Sequence, residues 1–233
     1  MTFVADFTRS PALRPWLAAI VLGLSALATQ AQTNSKAAKF YEDALIRYEK
    51  KDLPGTIIQL KNALQIDKNM LPVQLLLGKA LLQNGEVAAA EVAFAEALSL
   101  GVNRAEVVIP LGQAFLAQGK HKSVLEQATF NTAGLPAATQ LQLHLLRASA
   151  QADLGDMRAA LRSIDEARII DNRSAEVWLA EVPVRIRAGQ FAEATAAVDK
   201  AQALAPNLAE AWYQKGSVQH VQGKLDAALA AYD

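Results

Sequence analysis

Five glycines recur on a schedule. Gly85, Gly119, Gly155, Gly189 and Gly223 are separated by 34, 36, 34 and 34 residues, and Lys51 stands 34 residues before the first of them. A fixed period of this length marks a repeat array, in which each short unit buries its apolar face only by stacking on its neighbours. The stretch from Leu71 to Asn103 shows what one unit contains: two amphipathic helices, Val73–Gln83 and Val87–Leu100, hinged at Asn84–Gly85. Glycine suits that hinge because a left-handed residue ends the first helix there. The expected fold is an all-α solenoid of about six helix-turn-helix repeats, wound as a right-handed superhelix.

If the inter-helix glycine is position 15 of each unit, the other positions meet the demands of two antiparallel helices. Position 8 is Ala44, Gly78, Gly112, Ala148, Val182 and Gly216, and position 20 is Thr56, Ala90, Val124, Ala160, Ala194 and Ala228. Small side chains at both places let the axes approach to the lower end of the usual ~8–10 Å separation. Position 27 is Ala63, Ala97, Ala167 and Ala201, placed for contact with the next unit. Larger groups at Phe40, Leu60, Leu77, Leu81, Phe94, Leu111, Phe115, Ile164, Trp178, Val198, Trp212 and Tyr232 are the expected core. Composition agrees, since 52% of residues are apolar but only 6% aromatic, which suits thin, closely packed helices better than a sheet core.

The array spans residues 37–233, in units of about 37–70, 71–104, 105–136, 139–173, 174–208 and 209–233. In the first, Lys51 replaces the turn glycine and Pro54 falls in the first helical turn, where a missing N–H costs nothing. Asn103 with Glu106, and Asn207 with Glu210, have capping-box spacing and predict helix starts at Arg104 and Leu208. The third unit departs from the pattern: its second helix, about Lys122–Thr129, runs into the breaker-rich stretch Asn131 to Pro136. Pro183 lies inside the first helix of the fifth unit and should remove a backbone bond and kink it. The last unit stops at Asp233, position 24, inside a helix. The expectation is an N-terminal part of a longer array, with an apolar face exposed near Leu229 and Tyr232.

Residues 1–31 read as an export signal. Arg9 and Arg14 precede the apolar run Trp16–Ala28, and small then polar residues follow. The run has 13 residues, short of the roughly 20 that span a bilayer. Cleavage after Ala28 or after Ala31 fits the small-residue rule equally.

The sequence offers little chemistry. Lys+Arg and Asp+Glu both number 23, so no net field favours nucleic acid or an anionic membrane. Without cysteine there is no thiolate metal site, disulfide, cysteine nucleophile or lipid-bearing N-terminal cysteine. His121, His144 and His220 sit on different units and share no helix face, so no metal site is expected. Carboxylates are scattered at surface spacing, each glycine stands alone, and no serine or threonine has a partnered base. The expectation is a non-enzyme without cofactors.

Binding is then assigned to the first helix of each unit, at positions 2, 5, 9, 12 and 13. These give Tyr41, Leu45 and Tyr48 in the first unit, Leu75, Lys79, Leu82 and Gln83 in the second, and Ile109, Gln113 and Leu116 in the third. Later units give Gln142, Leu145 and Ser149, then Leu179, Ile186 and Arg187, and finally Tyr213, Ser217 and His220. Together they form a mixed, mildly apolar concave groove suited to an extended or helical protein segment.

The period, the hinge and the small residues resemble the tetratricopeptide repeat superfamily. More narrowly, Ala38–Arg104, with "YEKKDLPGTIIQLKNALQ", "LLLGKALLQNGEVAAAE" and "LSLGVNR", resembles the start of the repeat lipoproteins of the PEP-CTERM/exosortase system. That resemblance implies an exported protein of a Gram-negative envelope, periplasmic or facing the periplasm, working beside exopolysaccharide and PEP-CTERM sorting machinery. Members usually carry a lipid-attachment cysteine after the signal, and this chain has none, so membrane association stays open. Two other roles fit the same residues: an assembly factor for outer-membrane or cell-wall complexes, and a regulatory repeat domain of a longer multidomain protein. Chaperone-tail receptors of the superfamily use a repeated Lys and Asn carboxylate clamp, and that set does not recur here.

Overall fold

The computed structural model describes residues 35–233; the proposed export signal lies outside them. The described residues form twelve α-helices and one 3-10 turn, with no strand among them. The first helix, α1, covers 35–49. It is followed by α2 (Leu53–Ile66), α3 (Leu71–Gln83), α4 (Val87–Ser99), α5 (Arg104–Ala117) and α6 (His121–Glu126). The turn Ala128–Phe130 leads into α7 (Ala137–Asp153), α8 (Met157–Ile170), α9 (Ala175–Arg187), α10 (Phe191–Leu204), α11 (Ala209–Val221) and α12 (Leu225–Tyr232). From α3 on, odd-numbered helices pack on the even-numbered helix that follows, and each even-numbered helix packs on the next odd-numbered one. The expected solenoid is the observed fold.

Hinge chemistry is the same at every turn. Gly85 has φ +81°, its N–H donates to the Leu82 carbonyl, and the next N–H, of Glu86, donates to Leu81. This left-handed closure satisfies the carbonyls at the end of α3. Lys51 makes the same turn without being glycine, at φ 59°, with Lys51 N–H donating to Tyr48 and Asp52 N–H to Arg47. The strain is offset locally. Asp52 caps α2 by accepting from Gly55 N–H at 3.0 Å, and its carboxylate also receives Arg47 at 2.9 Å. Those two partners hold the Asp52 carboxyl below its ordinary range, the Gly55 N–H first and Arg47 second.

The two helices of a unit meet where position 8 faces position 24. A Cβ on Gly78 would come within 2.6 Å of the Phe94 ring, and one on Gly216 would strike Tyr232. Where position 24 is aliphatic, position 8 can be larger: Ala44 with Leu60, Ala148 with Ile164, and Val182 with Val198 share buried clusters. Bulk on one helix is thus matched by its absence on the other. The third unit keeps the rule by a detour. Its position 24 is the exposed Ala128, and Phe130, brought in by the 3-10 turn, takes the place against Gly112 and stacks edge-on to Phe115 at 5.5 Å. Arg104 ties the irregular stretch down, donating to the carbonyls of Asn131 (2.8 Å) and Ala133 (2.5 Å).

Between units, positions 3 and 10 carry the junction. Val73 and Ala80, Val107 and Ala114, Leu143 and Ala150, Val177 and Val184, and Ala211 and Val218 are all buried. Val177 and Val184 share a cluster with Ala167 and Ile164 of the preceding unit, so the slender alanine at position 27 admits the incoming helix. In the first unit the corresponding Lys39 and Ile46 are exposed.

Two expectations need correction. Trp212 and Tyr232 are exposed, at 43% and 45%, because no described helix packs beyond α11 and α12. The last pair begins at Ala209, not Leu208, and its N-cap Leu208 makes no side-chain bond, whereas Asn103 does cap α5 through Ala105 N–H. Helix α9 runs without interruption through Pro183, as α5 does through Pro110. Packing on both neighbours retains the helix although each proline withholds one N–H.

Two stability measurements follow. Gly78→Ala should cost about 1–3 kcal/mol in denaturant unfolding, and Gly78→Ala with Phe94→Ile, which reproduces the Ala148 and Ile164 pairing, should regain most of it. Lys51→Gly should raise stability by up to about 1 kcal/mol, by relieving the left-handed strain.

Candidate functional site

Odd-numbered helices also touch one another along the stack: α3 with α5, α5 with α7, α7 with α9, and α9 with α11. Even-numbered helices show no comparable contact among the described residues. A stack whose first helices are crowded side by side and whose second helices are splayed curves with the first helices inside. The candidate residues lie on those inner helices.

Position 5 supplies an apolar line through all six units: Tyr41, Leu75, Ile109, Leu145, Leu179 and Tyr213. The first four are half-buried, Leu179 is 6% exposed, and Tyr213 at the end of the stack is 58% exposed. A second line at position 12 runs through Tyr48, Leu82, Leu116 and Ile186, all half-buried, to the exposed His220. Between the lines stand Leu45, Lys79, Gln113, Ser149 and Ser217, of which Lys79 and Ser217 are half-buried. Much of each line leans on the core beneath: Tyr41, Tyr48, Leu75, Leu82, Ile109 and Leu116 pack on the cluster of the first three units.

Several candidates are brought together. Gln83 donates to the Tyr48 hydroxyl at 2.7 Å, joining α1 to α3, and Gln142 donates to Glu176 at 2.8 Å, joining α7 to α9. Arg187 pairs with Asp153 at 3.1 Å, and Asp153 also lies 3.7 Å from His121 Nδ1. Leu145 and Leu179 line one cleft of about 520 Å³ with Ala180, Pro183, Leu208, Glu176, Glu210 and Gln214. Tyr213 instead belongs to the end of the stack, 5.7 Å from Tyr232, and lines a second cleft with Trp212. Asp153, Glu176, Glu210 and Pro183 escape a search for apolar recurrence. Their signal is position: Glu176 and Glu210 share position 2 with Gln142, Pro183 shares position 9 with Lys79, and Asp153 shares position 13 with Arg187.

Glu91 loses solvation by burial, but hydrogen bonds from Lys120 (2.6 Å) and Gln118 (2.7 Å) outweigh that and hold its carboxyl below the ordinary range. His144 on α7 is pushed below its ordinary value first by burial and then by Arg147, against a smaller pull from Glu166. Among the described residues no three His, Cys, Asp or Glu side chains converge as a metal site would require. Nor is any described helix long and apolar enough to cross a membrane.

A family model for the tetratricopeptide repeat matches residues 75–123 and 179–233. Over those two stretches the chain is similar to the tetratricopeptide repeat. Solved structures share the architecture at low identity. A tetratricopeptide repeat protein from Parabacteroides merdae aligns at 16% identity and TM-score 0.67, covering 84% of this chain and 77% of its own. PilW, a type IV pilus biogenesis factor, aligns at 18% identity and TM-score 0.66, covering 84% of this chain and 90% of its own. PilF of Pseudomonas aeruginosa aligns at 14% identity and TM-score 0.59, covering 86% and 90%. Comparison with curated proteins gives no match. What the repeat match and the solved structures establish together is the fold, a solenoid of stacked helical hairpins.

The His144 shift sets a pH dependence. Its folded value lies below the unfolded one of about 6.5, so on acidification the unfolded chain takes the proton first. Stability is complete above that unfolded value and is lost as pH falls through it toward the folded value. Thermal unfolding between about pH 7.5 and about pH 5 should show this loss, and His144→Gln should flatten it.

Proposed function

We propose that this chain is an exported, non-catalytic scaffold of a Gram-negative envelope that gathers protein partners along its inner face, in exopolysaccharide export or the sorting of PEP-CTERM proteins. The observation that carries the binding half is the line at position 5, apolar in every unit and facing the inside of the curve. Such a line offers repeated anchors to one extended or helical segment. Support for the envelope half comes from the signal-like layout of residues 1–31 and from the likeness of Ala38–Arg104 to the PEP-CTERM-associated repeat proteins. The candidate groove residues act as a set, with anchoring at positions 5 and 12 and orientation by Lys79, Gln83, Gln113, Gln142 and Arg187.

A second reading is favoured by one observation: the second helices carry exposed large apolar residues, among them Ile58, Val92, Ile169 and Leu229. In that reading the scaffold assembles larger complexes of the outer membrane or cell wall through its edges and outer face.

Cross-linking in cells followed by fractionation separates the two. Under the first reading the chain is recovered with partners in the envelope fraction, Lys79→Glu with Arg187→Glu changes capture about tenfold, upward for a basic partner and downward for an acidic one, and Leu229→Glu leaves it unchanged. Under the second, Leu229→Glu abolishes capture and the inner-face reversals do not. Circular dichroism of the double variant guards against misfolding, since Arg187→Glu places a second carboxylate beside Asp153. Recovery solely from the cytoplasmic fraction would refute both.

A further inference from the structure

The inner face is not uniform, and the cleft between α7, α9 and α11 has a chemistry of its own. Its floor is Leu145, Leu179 and Pro183, with Leu208 at one side. Its two ionisable lining groups, Glu176 and Glu210, are both acidic and both exposed. Neutral amides hold each carboxylate: Gln142 donates to Glu176 at 2.8 Å and Gln214 to Glu210 at 3.0 Å. These bonds orient the carboxylates without cancelling their charge. Among the described residues neither glutamate takes part in an ion pair. The one cation among the α9 candidates, Arg187, stands 11 residues from Glu176, about 16 Å along the helix, and is paired with Asp153.

Both glutamates stand in the first turn of their helices, where the helix dipole favours negative charge, and among the described residues neither has a cation partner. An apolar floor beside two such carboxylates makes an acidic, half-apolar site. Its complement is an apolar group carried next to a cation.

We propose that this cleft receives an apolar side chain flanked by lysine or arginine, so that the groove selects basic, apolar protein segments. The apolar side chain fills the space over Leu145 and Leu179, and the cation beside it spans to Glu176 and Glu210. The inference rests on the reading of the inner face as the binding surface, and adds to it the charge of the partner. An acidic tail is disfavoured here because it would face two carboxylates of its own sign.

The test is a selection of random short peptides displayed on phage against the full chain, with Glu176→Gln/Glu210→Gln and Ala180→Trp as comparison proteins. Both glutamines keep an oxygen to accept from Gln142 and Gln214, and thermal unfolding checks that each variant is folded. The expected result is enrichment of lysine or arginine beside Leu, Ile, Val or Met on the full chain. That bias should vanish on the double glutamine variant, and an enriched peptide should bind it about three- to tenfold more weakly than the parent chain. Retained peptides with no charge bias, or with an acidic one, overturn the proposal while leaving the inner face as the binding surface. An identical basic bias on the glutamine variant also overturns it. If no peptide is retained on the parent chain above the level of Ala180→Trp, the proposal falls together with the reading beneath it.

Discussion

The contact between positions 8 and 24 is what the rest of the structure depends on. A helical hairpin of this length has no core of its own, so its stability hinges on how closely two axes approach. Outside the third unit the two residues, 16 apart in sequence, share one space: Gly78 leaves it to Phe94 and Ala148 to Ile164, while Val182 and Val198 divide it evenly. Summed volume is conserved while its distribution changes. That is why the array tolerates weak sequence identity between units, and why the third unit survives a helix of six residues. The helix is lost but the contact remains, because the 3-10 turn returns an aromatic ring to the space above Gly112.

Hairpins become a rod through a second set of contacts, at positions 3 and 10. Five successive junctions bury both residues. The junction between α8 and α9 adds a polar element: Glu181, almost fully buried, accepts from Arg185 at 2.7 Å and from Arg168, which also reaches Asp165 at 2.7 Å and lies 4.3 Å from the centre of the Trp178 ring. A buried carboxylate is tolerated only with its partners in place, so the node sets which surface of α9 can face α8. One junction further, Lys215 replaces Glu181 at the same position and reaches Gln202 where Arg168 stood. The carboxylate gives way to a cation and the guanidinium to a neutral amide, and polarity is kept.

Much of this was legible in the sequence because it is periodic. Spacing of the glycines gives the hinges, small residues at 8 and 20 give the helix faces, and Pro54 and Asn103 give helix starts, each from one local cause. What escaped is aperiodic. Phe130 lies two residues beyond its expected place, so no fixed period finds it. Lys51 adopts a glycine conformation, which is visible as a broken pattern but not as a left-handed turn. Trp212 and Tyr232 follow the core pattern faithfully and are exposed, since burial at those positions is supplied by a neighbouring unit and not by the residues themselves. On the inner face, apolar recurrence leads to Leu145 and Leu179 but passes over Glu176 and Glu210, whose significance is their proximity to a cleft.

That division has a physical basis in the geometry of the stack. Positions 8, 20 and 24 close the hairpin and positions 3, 10 and 27 join hairpins, so all six are held to a narrow range of size. Positions 2, 9 and 13 lie outside those packed contacts, and where positions 2 and 13 meet the next unit they do so through polar bonds. They accept Gln142, Glu176 and Glu210, or Lys79, Ser149 and Pro183, or Gln83, Asp153 and Arg187, without disturbing the fold. Position 5 stands between the two groups, half resting on the core and half facing the inside of the curve, and it stays apolar throughout. A face arranged this way can change its charge from unit to unit while its apolar line remains continuous. With the inner face as the proposed binding surface, selectivity would reside in the residues that stability leaves free, among them Glu176 and Glu210 at the acidic cleft over α7, α9 and α11.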